Sequence, residues 1–194
     1  MKLGLYGGTF DPVHRAHIAV ANAARTRYGL DRVLLIPNRQ PPHKESVTGA
    51  SYEHRLRMVE IACEDHPGLA ASDIENREGK SYTIQTLERL RIEYGAQVRL
   101  YFIIGADAFA EVMLWRRVDE VFRLTEFIVV SRPGFTFETP PGAKINPLET
   151  LAFTTSSTAI RHQLAHGEAT LDLDPKVSEY IKTNGLYGKA ITAA

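Results

Sequence analysis

Two rhythms of apolar and polar positions alternate along this chain. Short, nearly unbroken apolar runs at Leu3 to Tyr6, Arg32 to Ile36, Val98 to Ile104 and Phe127 to Ser131 read as strands buried on both faces. Between them lie longer stretches with apolar residues three and four apart. Ile18 to Tyr28 is followed by Gly29, Tyr52 to Asp65 is closed by Pro67-Gly68, and Thr83 to Tyr94 is closed by Gly95. Each reads as a helix ended by a residue that stops it. A weaker strand is expected between Leu69 and Glu75, and an irregular helical region that follows Gly105-Ala106-Asp107 and runs through Trp115 to Leu124. A last strand is expected at Leu151 to Thr154, then a helix Ala159 to His166 and a final helix Pro175 to Thr183. The Pro/Gly-rich stretches Pro37 to Gly49 and Pro133 to Pro147 read as long loops.

Strands that alternate with helices predict an α/β fold, a doubly wound and mostly parallel sheet covered on both faces. With 194 residues and no break between two separate cores, residues 1–194 are expected to form a single domain. Such sheets bind ligands beyond the carboxyl ends of their strands, where the strand order reverses. Three marked turns follow expected strands: Gly7 to His14, Gly105 to Asp107 and Thr155 to Thr158. Topology alone brings them to one edge.

The first turn, GGTFDPVHRAH from Gly7 to His17, carries the most chemistry. A strand that ends in glycines and enters a helix turns backbone N–H groups outward at the positive end of a helix dipole, which favours phosphate. His14 and His17 are three apart, so in a helical turn they share a face and offer N–H donors or positive charge to one ligand. Taken singly, Gly-Gly and Asp11-Pro12 make ordinary turns and two histidines are ordinary surface groups. The strand, the glycines, the Thr9 hydroxyl and both histidines together read as a phosphate site.

Near the other end, TTSSTAIR from Thr154 to Arg161 puts hydroxyls at a helix start and an arginine one turn later. Read alone this is an N-cap and a surface charge; with an anion present, the helix start and the forked arginine can hold a polyphosphate. Asp107, just past a strand, suits ribose hydroxyls or a helix cap. Trp115, the only tryptophan, stands beside Arg116, Arg117 and Asp119 and suits stacking on a flat ring.

These motifs carry a resemblance. GGTFDP followed by H-x-x-H resembles the signature of the HxGH nucleotidyltransferase superfamily, in the form found in its adenylyltransferases, although Ala16 stands where glycine is usual. SSTAIR resembles their second signature, ISSTxIR. IPNRQPPHK (Ile36 to Lys44), SYTIQTL (Ser81 to Leu87) and GADAFAEVMLW (Gly105 to Trp115) narrow the similarity to the bacterial nicotinate mononucleotide adenylyltransferases, and it runs from Leu3 to the NGLY at Asn184 to Tyr187.

The resemblance implies a Rossmann-like nucleotidyltransferase fold and transfer of the adenylyl group of ATP to nicotinate mononucleotide, with Mg2+ arriving on the ATP phosphates. It implies catalytic roles for His14 and His17. ATP contacts would come from Gly8, Thr9, Phe10, His14, His17, Gly105, Asp107, Ser156, Ser157 and Arg161. Mononucleotide contacts would come from Lys44, Thr83, Trp115, Arg116 and Arg132, with Trp115 stacked on the pyridine and the Thr83 and Arg116 amides on its carboxylate. Nicotinamide mononucleotide and phosphopantetheine remain alternative acceptors, and a nucleotide-binding sensor without turnover is an alternative of a different class.

Bulk properties trim the picture. Basic and acidic residues number 23 each, so no global field draws the chain to nucleic acid or an anionic membrane. The longest apolar run, Leu100 to Ala106, stops far short of the about 20 residues a membrane helix needs, and Lys2 before a glycine-punctuated strand is unlike a signal peptide. One cysteine, Cys63, permits no internal disulfide and suits a reducing cytoplasm. Gly79-Lys80-Ser81 lacks the first glycine of a P-loop, since position 74 is isoleucine. No CxxC or HExxH spacing joins the histidines to Cys63 or His43, so no protein-bound metal is expected.

Overall fold

A computed structural model describes residues 1–39, 49–77, 79–134, 136–150 and 155–188. Six strands, β1 (Lys2–Gly8), β2 (Arg32–Pro37), β3 (Leu69–Ala71), β4 (Arg99–Gly105), β5 (Thr125–Ser131) and β6 (Ile145–Glu149), form one sheet in the order β3-β2-β1-β4-β5-β6. All five pairings are parallel. The order reverses between β1 and β4, the place where a doubly wound sheet opens a crevice.

Alternation along the strands sorts side chains to two cores. Leu3 and Leu5 of β1, Leu34 and Ile36 of β2, and Phe127 and Val129 of β5 pack with helices α3 (Thr83–Tyr94), α4 (Ala106–Phe109) and α5 (Val118–Leu124). Val33, Leu35, Ile103 and Ile128 face the other way, to α1 (Arg15–Tyr28), α2 (Tyr52–Cys63), α6 (Ser157–Ala165) and α7 (Pro175–Thr183). Both faces are covered, as their near-continuous apolar runs require.

The helices largely fall where the pattern put them. Helices α3 and α7 have the expected bounds, and Gly29 ends α1 in the left-handed region at φ 59°. Helix α1 begins at Arg15 rather than Ile18 because His14 serves as its N-cap residue. The irregular helical region expected to follow Gly105-Ala106-Asp107 and run through Trp115 to Leu124 consists of α4, a 3-10 turn at Val112–Leu114 and α5. The sixth strand lies at Ile145–Glu149, partly inside the stretch expected to be a loop. Its Pro147 sits opposite Val129, a position an edge strand tolerates because only one side of it must donate. The strand expected at Leu151 to Thr154, and most of the Pro37 to Gly49 loop, lie outside the described residues. Among the described residues no helix is long and apolar enough to cross a membrane.

One glycine governs how closely α1 and its loop approach the sheet. A Cβ at Gly4 would lie 2.8 Å from Leu30 Cδ1 and 2.9 Å from Val33 Cγ2, closer than packed carbons allow. Gly4→Val is therefore expected to lower the unfolding free energy by about 1 to 3 kcal/mol through overpacking, measured by urea titration. An unchanged midpoint would show that the site has slack.

Candidate active site

The turn after β1 is built around Phe10. Its backbone is left-handed, at φ 49°, and its ring is 2 % exposed, packed edge-on to Tyr6 and His17 with centroids 5.7 and 5.0 Å away. A Cβ at Gly8 would touch that ring at 3.0 Å, which explains the second glycine of the pair. Phe10, expected among the ATP contacts, thus gives its side chain to the core and leaves only backbone for a ligand.

Asp11 follows, joined to Pro12 by a cis peptide bond, and its carboxylate is 4 % exposed. It accepts the N–H groups of Gly49 and Ala50 at 2.7 and 3.1 Å and the Tyr187 hydroxyl at 2.6 Å. Arg161 Nη1 donates to the Asp11 carbonyl at 2.7 Å, and the Ser157 hydroxyl donates to the Pro12 carbonyl at 3.0 Å. The front turn and the serine-arginine helix start, from opposite ends of the sequence, are in direct contact. Arg55, 1 % exposed, braces the same region by donating to the carbonyls of Thr9 at 2.6 Å and Asn38 at 2.9 Å.

The two histidines stack on one another, with centroids 3.8 Å apart and a tilt of 36°. The His14 N–H donates to His17 Nδ1 at 3.2 Å. An accepting Nδ1 carries no proton, so neutral His17 holds its proton on Nε2, and no described residue bonds that atom. Burial lowers the His14 pKa to about 4, against a smaller upward pull from Asp172. His17 falls to about 3, chiefly through burial and then through His14 beside it. Both rings are neutral donors at physiological pH; of the two forms open in the sequence, N–H donor or positive charge, the fold selects the first. Ala16, in the first turn of α1, is not among the residues with positive φ, so its Cβ brings no backbone strain.

A cleft of about 410 Å³ opens where the strand order reverses, lined by Gly8, Thr9, Gly105, Thr83, Trp115 and Arg116 among others. Trp115 stands edge-on to Phe102 at 5.4 Å, half packed and half facing the cleft. Thr83 starts α3, whose N-cap residue Tyr82 makes no side-chain capping bond. Ser156 caps α6 by accepting the Ala159 N–H at 3.2 Å, and Arg161 Nη2 also donates to Thr158 Oγ1 at 3.3 Å. Asp107 and Arg132 are exposed past the ends of β4 and β5 and are not among the residues lining the cleft. Lys44 lies outside the described residues.

A family model described as cytidylyltransferase-like matches residues 5–163. The chain is 46% identical over 187 residues to a probable nicotinate-nucleotide adenylyltransferase of Solibacter usitatus, covering 96% of this chain and 100% of the relative. It is 39% identical over 191 residues to the nicotinate-nucleotide adenylyltransferase of Bacillus subtilis, covering 96% and 98%. The chain belongs to the nicotinate-nucleotide adenylyltransferases of the cytidylyltransferase-like family. The Rossmann-like fold of this family is matched by Plasmodium falciparum nicotinic acid mononucleotide adenylyltransferase complexed with NaAD, with TM-score 0.79, 21% identity and coverage of 96% and 97%.

Other residues of the cleft are not among the contacts that the sequence motifs imply. Tyr6, Asn38 and Glu75 line the cleft. Burial raises the Glu75 pKa against the pull of hydroxyl donors, and its Oε1 accepts the Thr86 hydroxyl at 2.9 Å. Asn38 follows β2 directly and Glu75 lies shortly beyond β3; a polar residue past the carboxyl end of a parallel strand was the signal available. Arg55 and Tyr187 gave no such signal, because their partners lie far away in sequence.

The depressed histidines set a pH dependence. With folded values of about 4 and about 3 against about 6.5 when unfolded, the unfolded chain takes up protons first as pH falls. Stability is then fully present above about pH 7 and is lost as pH drops from about 6.5 toward 4. Urea titrations at several pH values are expected to show this fall, with a shallower slope in His14→Asn. An equal slope in that variant would place its source elsewhere.

Proposed function

We propose that the chain transfers the adenylyl group of ATP to nicotinate mononucleotide, giving nicotinate adenine dinucleotide and pyrophosphate as a step in NAD biosynthesis. The observation that carries this reading is the contact of the two phosphate-type turns, through Ser157 with Pro12 and Arg161 with Asp11, beside a cleft walled by Trp115. The names of relatives that match 96% of this chain point the same way.

In this reading an oxygen of the mononucleotide phosphate attacks the α-phosphorus of ATP, and the bond from that phosphorus to the pyrophosphate oxygen breaks. The attacking oxygen is already ionised, so no side chain must remove its proton and no covalent intermediate forms. The protein positions the two phosphates and stabilises charge that develops between them. His17 Nε2–H and His14 act as neutral donors, helped by the backbone N–H groups of the turn and the start of α1. Thr9 and Gly105 border the phosphates and ribose, and Ser156 keeps the α6 start formed. Asp107 and Arg132 are proposed to meet the substrates from the rim of the cleft, and Lys44 is proposed as a contact of the mononucleotide. Mg2+ enters with ATP. The whole chain acts as one adenylyltransferase domain in the cytoplasm, where Cys63, buried and with its thiol pKa raised to about 12, stays reduced.

Pyrophosphate release with ATP and nicotinate mononucleotide, and separately with nicotinamide mononucleotide and phosphopantetheine, tests the assignment. Release is expected with the nicotinate acceptor foremost. His17→Ala is expected to lower kcat about 10² to 10³-fold, the scale of a lost transition-state donor. A variant within threefold of the parent would remove His17 from the chemistry.

A further inference from the structure

Helix α7 stops at Asn184-Gly185, a local signal for reversal. Gly185 is left-handed at φ 60°, the Leu186 N–H donates to the Ile181 carbonyl at 3.0 Å, and Leu186 packs on the core. The reversal brings Tyr187, also left-handed at φ 61°, back to the turn after β1, where its hydroxyl donates to Asp11 Oδ1 at 2.6 Å. The Tyr187 ring and the stem of Arg161 both lie on Gly49, since a Cβ there would meet Tyr187 Cε1 at 2.8 Å and Arg161 Cδ at 3.0 Å. Burial, and after it the bond to Asp11, raise the Tyr187 pKa, so the hydroxyl keeps its proton and remains a donor.

A carboxylate offers about four lone pairs, and at Asp11 uncharged donors fill three of them. Oδ1 accepts the Ala50 N–H and the Tyr187 hydroxyl, and Oδ2 accepts the Gly49 N–H. Arg161 Nη1 stands 3.8 Å from Oδ2, too far for a hydrogen bond. It donates instead to the Asp11 carbonyl at 2.7 Å, and Nη2 donates to the Thr158 hydroxyl at 3.3 Å. Both are neutral partners, which a phosphate can displace. Arg55 also feels the Asp11 charge, but it is buried and held by the carbonyls of Thr9 and Asn38. Arg161, with its side chain 33% exposed, is the cation of this cluster with room to move.

We propose that Tyr187 is a positioning residue: by filling an Asp11 lone pair with a neutral hydroxyl, it keeps Arg161 out of a closed ion pair with that carboxylate and available to the phosphates of ATP. This rests on the reading of Arg161 as an ATP contact. Without the hydroxyl, a buried anionic oxygen lacks a donor, a penalty large enough to draw in a mobile one. A forked guanidinium–carboxylate pair is the strong alternative within reach. ATP then binds only those molecules in which Arg161 is open, and its apparent dissociation constant rises by the inverse of their fraction.

Tyr187→Phe keeps the ring on Gly49 and removes only the hydroxyl. It is expected to raise the dissociation constant of ATP, measured by titration calorimetry, about tenfold, the effect of a competent fraction near one tenth. Binding of nicotinate mononucleotide, followed by the fluorescence of Trp115, the chain's only tryptophan, stays within about threefold of the parent, as does kcat at saturating ATP. Arg161→Gln also weakens ATP binding, and in that background Tyr187→Phe adds nothing, because the group through which it acts is gone. An unchanged ATP constant in Tyr187→Phe, equal weakening of both ligands, or full additivity of the two substitutions overturns the proposal, as does ATP binding that Arg161→Gln leaves intact. A parent enzyme that binds ATP but releases no pyrophosphate with any acceptor overturns the adenylyl-transfer reading instead, and the calorimetric cycle still decides the role of Tyr187.

Discussion

A buried carboxylate holds the site together. Asp11 has almost no access to water, and a charge in that position is tolerable only when its lone pairs are met. They are met by the amides of Gly49 and Ala50 just before α2, by Tyr187 beyond α7, and at longer range by Arg161, 3.8 Å away. Removing any one partner leaves part of a charge unsolvated, so the four segments are bound to a single arrangement. The left-handed backbone at Tyr187, φ 61°, and the absence of a side chain at Gly49, where a Cβ would lie 2.8 Å from the Tyr187 ring, are the local costs of that convergence. The phosphate turn is therefore shaped as much by residues 49, 161 and 187 as by its own sequence.

Around this anchor the proposed chemistry is that of preorganised dipoles. The stacked imidazoles are too close and too buried to be charged together, and the backbone N–H of His14, by donating to His17 Nδ1, leaves the His17 proton on Nε2. Donors fixed before the substrate arrives need no reorganisation as charge moves between phosphates, which is where such sites gain most. In the proposed reading the aromatic wall of Trp115 and Phe102 offers a flat ring an apolar surface whose one polar group is the indole N–H.

The sequence made visible whatever is settled within a few residues. Helix α7 could be bounded because Pro175 and Asp174 are a local start signal, with the Asp174 side chain accepting the Lys176 N–H, and Gly29 could be placed because it alone suits a left-handed end. The glycine-histidine turn was recognisable for the same reason. What stayed hidden depends on distant partners. Arg55 reads as one polar residue in an amphipathic helix until the fold carries it to the carbonyls of Thr9 and Asn38. The charge state of His14 and His17 depends on burial by elements far along the chain, and β6 could not be separated from loop because its proline is acceptable only at a sheet edge.

The floor of the cleft lies between strands that are remote in the chain, with Lys2 opposite Arg99 and Tyr6 opposite Ile103. Parallel neighbours cannot be joined by a tight turn, so β1 must wait for β4. On the ribosome, the first strand and the turn after it stay without their central partner until the chain has been made through Gly105. During that interval the apolar edge of β1 is open to other chains, a period in which a nascent-chain chaperone has something to cover.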